Sequence, residues 1–181
     1  MLTLAILSGT NRRGGNTARV VDHIDAIYRA LGQPTRIIDL AALPPEIISS
    51  SSYAETPATF KPFADAILEC AGLHVVTPEY NGGVPGILKY FIDMLKFPES
   101  FERKPVCFTG VSAGDWGAWQ AVEQLQTIFI YRQAHLFPER VFLPRIGNSL
   151  TAEGRIGDNE ILKQLRGQAE RFIAFVKLFA P

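Results

Sequence analysis

Residues 2–32 read LTLAILSGTNRRGGNTARVVDHIDAIYRALG, and their order of textures decides the fold. Residues 2–7 are an almost unbroken apolar run, as expected of a parallel strand covered on both faces. From Asn16 the texture changes. Val20, Ile24, Ile27 and Leu31 recur at helical spacing, and Gly32 supplies a helix stop. Between strand and helix lies SGTNRRGGNT (8–17), small, hydroxyl-rich, glycine-rich and carrying two arginines. A strand, a loop of this kind and a helix form the first unit of an alternating chain.

The alternation continues. Residues 36–40 form a second strand, and the Pro- and Ser-rich 43–56 segment reads as a long loop. Phe60, Phe63, Ile67 and Leu68 mark the next helix, 73–77 a third strand, and Ile87, Phe91, Met94 and Leu95 a further helix. Residues 106–109 form a fourth strand, followed by a helix with Ala118, Val122, Leu125 and Phe129 on its inner stripe. Residues 141–143 make a short fifth strand, and Ile161, Leu165, Phe172 and Val176 belong to a closing helix. Strict alternation implies α/β architecture, a parallel sheet with helices on both faces. Right-handed crossovers leave the flavodoxin-like order 2-1-3-4-5 as the best fit for five strands. The expectation is a three-layer sandwich formed by one domain over residues 1–181.

Composition narrows the function. The 181 residues carry 18 basic and 18 acidic side chains, a formal net charge of +0. That balance, without a basic stripe, argues against a nucleic-acid partner. No stretch reaches membrane-spanning length, and the start lacks the charged lead of a signal peptide. Cys70 and Cys107 lie far apart and read as buried thiols of a reducing, cytoplasmic setting. His23 reads as an exposed helix residue and His74 as a strand residue; with His135 they show no metal spacing.

In a doubly wound sheet, ligands bind beyond the carboxyl ends of the strands. The loops 8–17, 78–85 and 110–117 follow strands 1, 3 and 4 and should converge there. The first opens a helix, where free N–H groups and the helix dipole favour an anion. Thr10, Asn16 and Thr17 add neutral donors and Arg12 or Arg13 a charge; the alternative is a glycine-rich turn capped by Asn16. GxGxxG is absent. The Walker spacing occurs as Gly9 to Gly14, but Gly15-Asn16 replaces Lys-Ser/Thr, so a monophosphate suits it better than a triphosphate. In TPEYNGGVPG (77–86), Tyr80 and the backbone around Gly82 and Gly83 can line a planar heterocycle, and Pro85 suits a helix start. The alternative is a structural turn with Glu79 solvated. Ser112, Ala113 and Gly114 offer close backbone donors, with Trp116 and Trp119 as stacking, core or interface residues. Gly110-Val111-Ser112-Ala113-Gly114 also matches the GxSxG nucleophile elbow, but only His135 follows it, with Asp115 and Glu123 as the acids between. Asp39, after the second strand, is a weak ribose-binding candidate.

Together the loops resemble those of the NADPH-dependent FMN reductase family, flavodoxin-like flavoproteins that include quinone, azo-dye and chromate reductases. GTNRRGGNT (9–17) resembles the loop that holds the FMN phosphate. PEYNGGVPGILKYFID (78–93) is very close to the family's most specific motif, which lines the isoalloxazine. SAGDWG (112–117) resembles its third loop. Thr10 stands for the usual Ser, and Gly15 where many members have Ser. The resemblance implies FMN as cofactor, NADPH or NADH as co-substrate, and Ser8, Thr10, Arg12, Asn16, Thr17, Pro78, Glu79, Tyr80, Asn81, Gly82, Ser112, Ala113 and Gly114 as binding residues. It implies hydride transfer to the flavin, then electron transfer to a small acceptor (quinone, azo dye, metal oxyanion or free flavin) with ping-pong kinetics and no catalytic side chain. It further implies a homodimer or homotetramer; the apolar face of the third helix, the 43–56 loop, Phe97, Phe101, Trp116 and Trp119 are the candidate contacts, and Asp93 reads as structural by its helix position. The rival readings are a flavodoxin-like electron carrier, usually strongly acidic, and a flavin-binding sensor.

Overall fold

The computed structural model describes residues 2–179. Five strands, β1 (Leu4–Ser8), β2 (Thr35–Asp39), β3 (Gly72–Pro78), β4 (Pro105–Val111) and β5 (His135–Leu143), form one parallel sheet of order β2-β1-β3-β4-β5. Five helices connect or close them: α1 (Asn16–Ala30), α2 (Lys61–Glu69), α3 (Gly86–Asp93), α4 (Trp119–Tyr131) and α5 (Asn159–Lys177). The order matches the sequence expectation.

Alternation along each central strand builds the two cores. Ala5 and Leu7 of β1 face α2, α3 and α4, while Leu4 and Ile6 face α1 and α5. Residues i and i+2 share a face because the strand period is two. Every residue of β1, β3 and β4 is buried, which is why the β1 stretch reads as an almost unbroken apolar run, while β3 and β4 carry buried His74, Thr77 and Thr109 among apolar residues.

Several details differ from expectation. In α2, Leu68 points outward, and Ala66 and Ile67 take the inner positions. In α3 the fully buried residues are Leu88, Phe91 and Ile92, with Ile87 and Met94 packed at the margin. The 43–56 segment is wound into short 3-10 turns at Pro45–Ile48 and Ser50–Tyr53, and Ile47 of the first turn is buried in the core. β5 runs nine residues, not three. As an edge strand it tolerates Pro138, Glu139 and Arg140, and an irregularity opposite Val106 and Phe108 absorbs the extra residues. His23 is half-buried and accepts the N–H of Ile156 at 2.8 Å. Both cysteines are buried free thiols. Phe101 lies in the core, and the apolar face of α3 is covered by the chain's own residues, so neither is available as an interface contact.

The carboxyl end of β4 is packed tightly. A Cβ at Gly110 would lie 2.2 Å from the carbonyl oxygen of Gly117, where backbone must give way. Gly110→Ala is expected to destabilise the fold by about 2–3 kcal/mol, read as a lower midpoint in urea unfolding; an unchanged midpoint would show that the loop yields freely.

Candidate functional site

The loops after β1, β3 and β4 meet at one edge of the sheet around a cleft of about 600 Å³. Thr10, Arg12, Asn16, Thr17, Pro78, Glu79, Tyr80, Ser112 and Ala113 line it, so the convergence expected from topology is present. Asn81 lines an adjoining groove with Asn11, Arg12, Glu79 and Tyr80. Ser8, Gly82 and Gly114 line neither. Ser8 is the buried last residue of β1. Gly82 faces α4. Gly114 accepts the N–H of Arg145.

The first wall is the start of α1. Gly15 is its N-cap, in extended conformation and without a side-chain cap; Asn16 is the first helical residue, not the cap. The first turn holds no acidic residue. Among the described residues, the N–H groups of Asn16 and Thr17 find no acceptor and the Thr17 hydroxyl has no partner. Bare donors at a helix N-terminus are a seat for an anion. Arg12 adds an exposed guanidinium to the same cleft. Arg13 lines it too, and its Nη2 reaches the Ala41 carbonyl at 3.4 Å.

The second wall is a tight turn. Tyr80 and Gly83 exchange backbone hydrogen bonds at 3.1 Å each way, and Asn81 and Gly82 have φ of 52° and 73°. Positive φ at both central residues is the geometry that Asn-Gly favours. The Tyr80 hydroxyl pairs with Thr10 Oγ1 at 2.8 Å, and Thr10 Oγ1 accepts the Arg12 N–H at 3.2 Å. Thr10 therefore joins the first two loops. Glu79 is half-buried rather than free in solvent: its Oε2 accepts the Gln120 N–H at the start of α4.

The third wall, Ser112–Ala113, is fixed by backbone bonds to the end of β5 and the segment after it: the Ser112 N–H to the Leu143 carbonyl and the Ile146 N–H to the Ser112 carbonyl. That segment contributes Ile146 to the cleft, a residue the sequence reading missed. The loop after a fifth strand ends at the same edge as the others, and that rule alone would have found it.

The alternative chemistries fail on geometry. Ser112 Oγ is occupied by Gly114, accepting its N–H at 2.8 Å and donating to its carbonyl at 3.0 Å. His135 pairs with Pro105 at one end of β4, whereas Val111 pairs with Leu143 at the other. Six residues of strand, about 20 Å, separate the serine from its only following histidine. Asp115 is engaged by Arg145, whose guanidinium holds the carboxyl below the usual range. Asp39 accepts the Ala41 N–H at 3.0 Å. Among the described residues no His/Cys/Asp/Glu cluster could hold a metal, and no helix is long and apolar enough to cross a membrane. Trp116 and Trp119 are exposed, and Lys89 pairs with Asp93 on the outer face of α3.

A doubly wound sheet of this order, with a bare helix terminus after β1 and an aromatic turn after β3, defines a flavodoxin-like mononucleotide-binding protein. The chain belongs to the NADPH-dependent FMN reductase family, whose sequence pattern it matches over residues 2–147. It is 31% identical to a quinone reductase of Pseudomonas putida, with 97% of this chain and 95% of that protein covered. It is 27% identical to an NAD(P)H-dependent FMN reductase of Pseudomonas aeruginosa, covering 94% of this chain and 93% of the other. In fold it is similar to FerB, a flavoenzyme NAD(P)H:(acceptor) oxidoreductase from Paracoccus denitrificans, with a TM-score of 0.84, 21% identity and 99% of each chain covered.

Proposed function

We propose that the cleft seats FMN with its phosphate on the first turn of α1 and its ring system between the 78–83 turn and the 112–114 segment. Family membership makes the protein an FMN-dependent NAD(P)H oxidoreductase. The observation that carries the site assignment is the bare first turn of α1 beside Arg12, inside a cleft walled by Tyr80 and Ser112. The residues present fit the group: unpaired N–H donors and a guanidinium suit a phosphate, and the exposed backbone of the other two walls suits a heterocycle.

When bound, FMN supplies the redox chemistry, accepting hydride from NAD(P)H and giving electrons to a second substrate. The chain's own residues bind and orient. Asn16 and Thr17 N–H groups hold the phosphate, Arg12 neutralises it, and the backbone of 79–83 and 112–114 faces the ring. Among the described residues the Asn81 and Ala113 N–H groups have no acceptor, and such free donors favour negative charge on the ring electrostatically. The adjoining groove of about 620 Å³, lined by Asn11, Arg12, Glu79, Tyr80 and Asn81, is where the second substrate docks. Arg12 belongs to both spaces and is the candidate for recognising the additional phosphate of NADPH. A small planar acceptor fits this reading, and several relatives are named quinone reductases. We propose also that the whole chain acts as a single FMN-binding domain, that it works in the cytoplasm, which its two buried free thiols support, and that it assembles as a homodimer or homotetramer through exposed aromatics such as Phe97, Trp116 and Trp119.

The test is an anaerobic stopped-flow experiment in which FMN-loaded protein meets NADPH or NADH. Rapid loss of the flavin's visible absorbance is expected, faster with NADPH. Binding without bleaching would favour the carrier or sensor, and failure to take up FMN would return the cleft to an unidentified anion site.

A further inference from the structure

Helix α4 starts without a cap of its own. Its N-cap residue, Ala118, sits in the left-handed region at φ 66° and its methyl side chain accepts nothing. An uncapped first turn leaves N–H groups in search of acceptors. The acceptor comes from Glu79, whose Oε2 takes the N–H of Gln120 at 3.1 Å and that of Ala121 at 3.4 Å. A turn further along the helix, Gln124 Oε1 accepts the Val84 N–H at 3.1 Å, and its Nε2 donates to the Gly82 carbonyl at 3.4 Å. The 80–83 turn is thus gripped by α4 on both flanks, through Glu79 before it and Val84 after it. The chain that enters α4 is the same chain that forms the third wall at Ser112 and Ala113.

We propose that Glu79 is a positioning residue. Its carboxylate does not bind the flavin but caps α4, and so fixes the spacing between the 78–83 wall and the 112–114 wall. The proposal rests on reading the cleft as an FMN site. The α4 dipole and N–H groups offset the carboxylate's charge, so a negative group is tolerated beside a ring that gains negative charge on reduction. Gln124 is the secondary grip.

The test compares Glu79→Ala, Glu79→Gln and Gln124→Ala. Two readouts are taken: amide hydrogen exchange on the flavin-free chain, and FMN binding with its visible spectrum. In E79A, exchange at Gln120, Ala121 and residues 80–84 is expected to accelerate. Its FMN dissociation constant should rise about tenfold, on the scale of a lost helix cap, with altered fine structure in the flavin band. E79Q keeps an acceptor oxygen and should recover most of the lost affinity. Q124A should accelerate exchange at Val84 while sparing Gln120, with a smaller loss of affinity. Equal FMN affinity and spectrum in wild type and E79A overturns the proposal. So does an E79Q as impaired as E79A, which would assign the effect to charge rather than to the cap. If E79A does not fold, E79Q and Q124A carry the comparison. A wild-type chain that takes up no FMN overturns the site reading itself, and the exchange data on flavin-free protein then decide separately whether the clamp exists.

Discussion

Asn16→Asp is expected to weaken FMN binding by about three orders of magnitude, roughly 4 kcal/mol, while leaving the flavin-free protein as stable as the wild type or slightly more so. The substitution is nearly isosteric and adds one negative charge at the first residue of α1, inside the cleft. For the helix alone, the change is favourable. An acidic side chain in the first turn gains about 0.3–1 kcal/mol from the macrodipole, and this turn has none. For a phosphate seated on the same N–H groups, the change is severe. Two like charges about 4 Å apart repel by about 4 kcal/mol at an effective dielectric constant of 20, and a phosphate monoester carries close to two charges. The opposite signs make the test discriminating. Fluorescence titrations with FMN and with riboflavin, which lacks the phosphate, should show the loss for FMN alone. A matching loss for riboflavin would mean that the mutation disturbs the ring site, and that the phosphate lies elsewhere.

How far the sequence speaks depends on the kind of interaction. The sheet order is legible because β1, β3 and β4 are buried on both faces, and double burial writes itself as a mostly apolar run, interrupted in β3 and β4 only by His74, Thr77 and Thr109. β5 reads as only three residues because an edge strand tolerates Pro138, Glu139 and Arg140, which break the apolar run. The three main loops were legible because glycine, hydroxyl and aromatic residues cluster at strand ends, and topology brings strand ends together. Ile146, a lone apolar residue after an underestimated strand, carries no local signal, and only the shared edge of the strand ends points to it. From sequence alone Glu79 reads as a solvated or cofactor-facing residue. Its partner, the bare start of α4, lies 41 residues away, and a cap supplied from that distance has no sequence spacing to betray it. The same holds for the polar residues buried under the sheet. Tyr28 and Gln168 sit on helical faces that read as ordinary amphipathic positions, yet both are almost fully buried.

Those buried polar residues give a second large effect, on stability toward acid. His74 lies in the centre of β3, fully buried, between the Tyr28 hydroxyl at 2.9 Å from Nδ1 and Thr109 Oγ1 at 2.8 Å from Nε2. The chain of bonds fixes the proton positions. Gln168 Nε2 donates to the Phe108 and Glu139 carbonyls, so its Oε1 accepts from the Thr109 hydroxyl. Thr109, having spent its only proton, must accept from His74 Nε2–H. His74 Nδ1 is then left as the acceptor of the Tyr28 O–H. Every member is satisfied by one neutral tautomer, and a second ring proton would displace the Tyr28 bond. Burial accordingly pushes the His74 pKa down to about 3 from the ordinary 6.5. Between those values the unfolded chain binds a proton that the folded chain refuses, so stability rises with pH through this window. It is fully present above the unfolded value and falls by roughly 1.4 kcal/mol per pH unit as the solution is acidified. The accumulated loss approaches about 4–5 kcal/mol near the folded value, comparable with the whole stability of a small domain. His23, also lowered by partial burial, contributes with the same sign, so the comparison must retain it. His74→Gln does so: its amide can accept from Tyr28 and donate to Thr109 without titrating. Urea unfolding between about pH 4 and pH 7 should give a steeper decline for the wild type than for H74Q, with the difference growing by roughly one kcal/mol or more per pH unit. Parallel curves would mean that His74 is protonated in the folded protein, and that the buried chain of hydrogen bonds runs in a different direction.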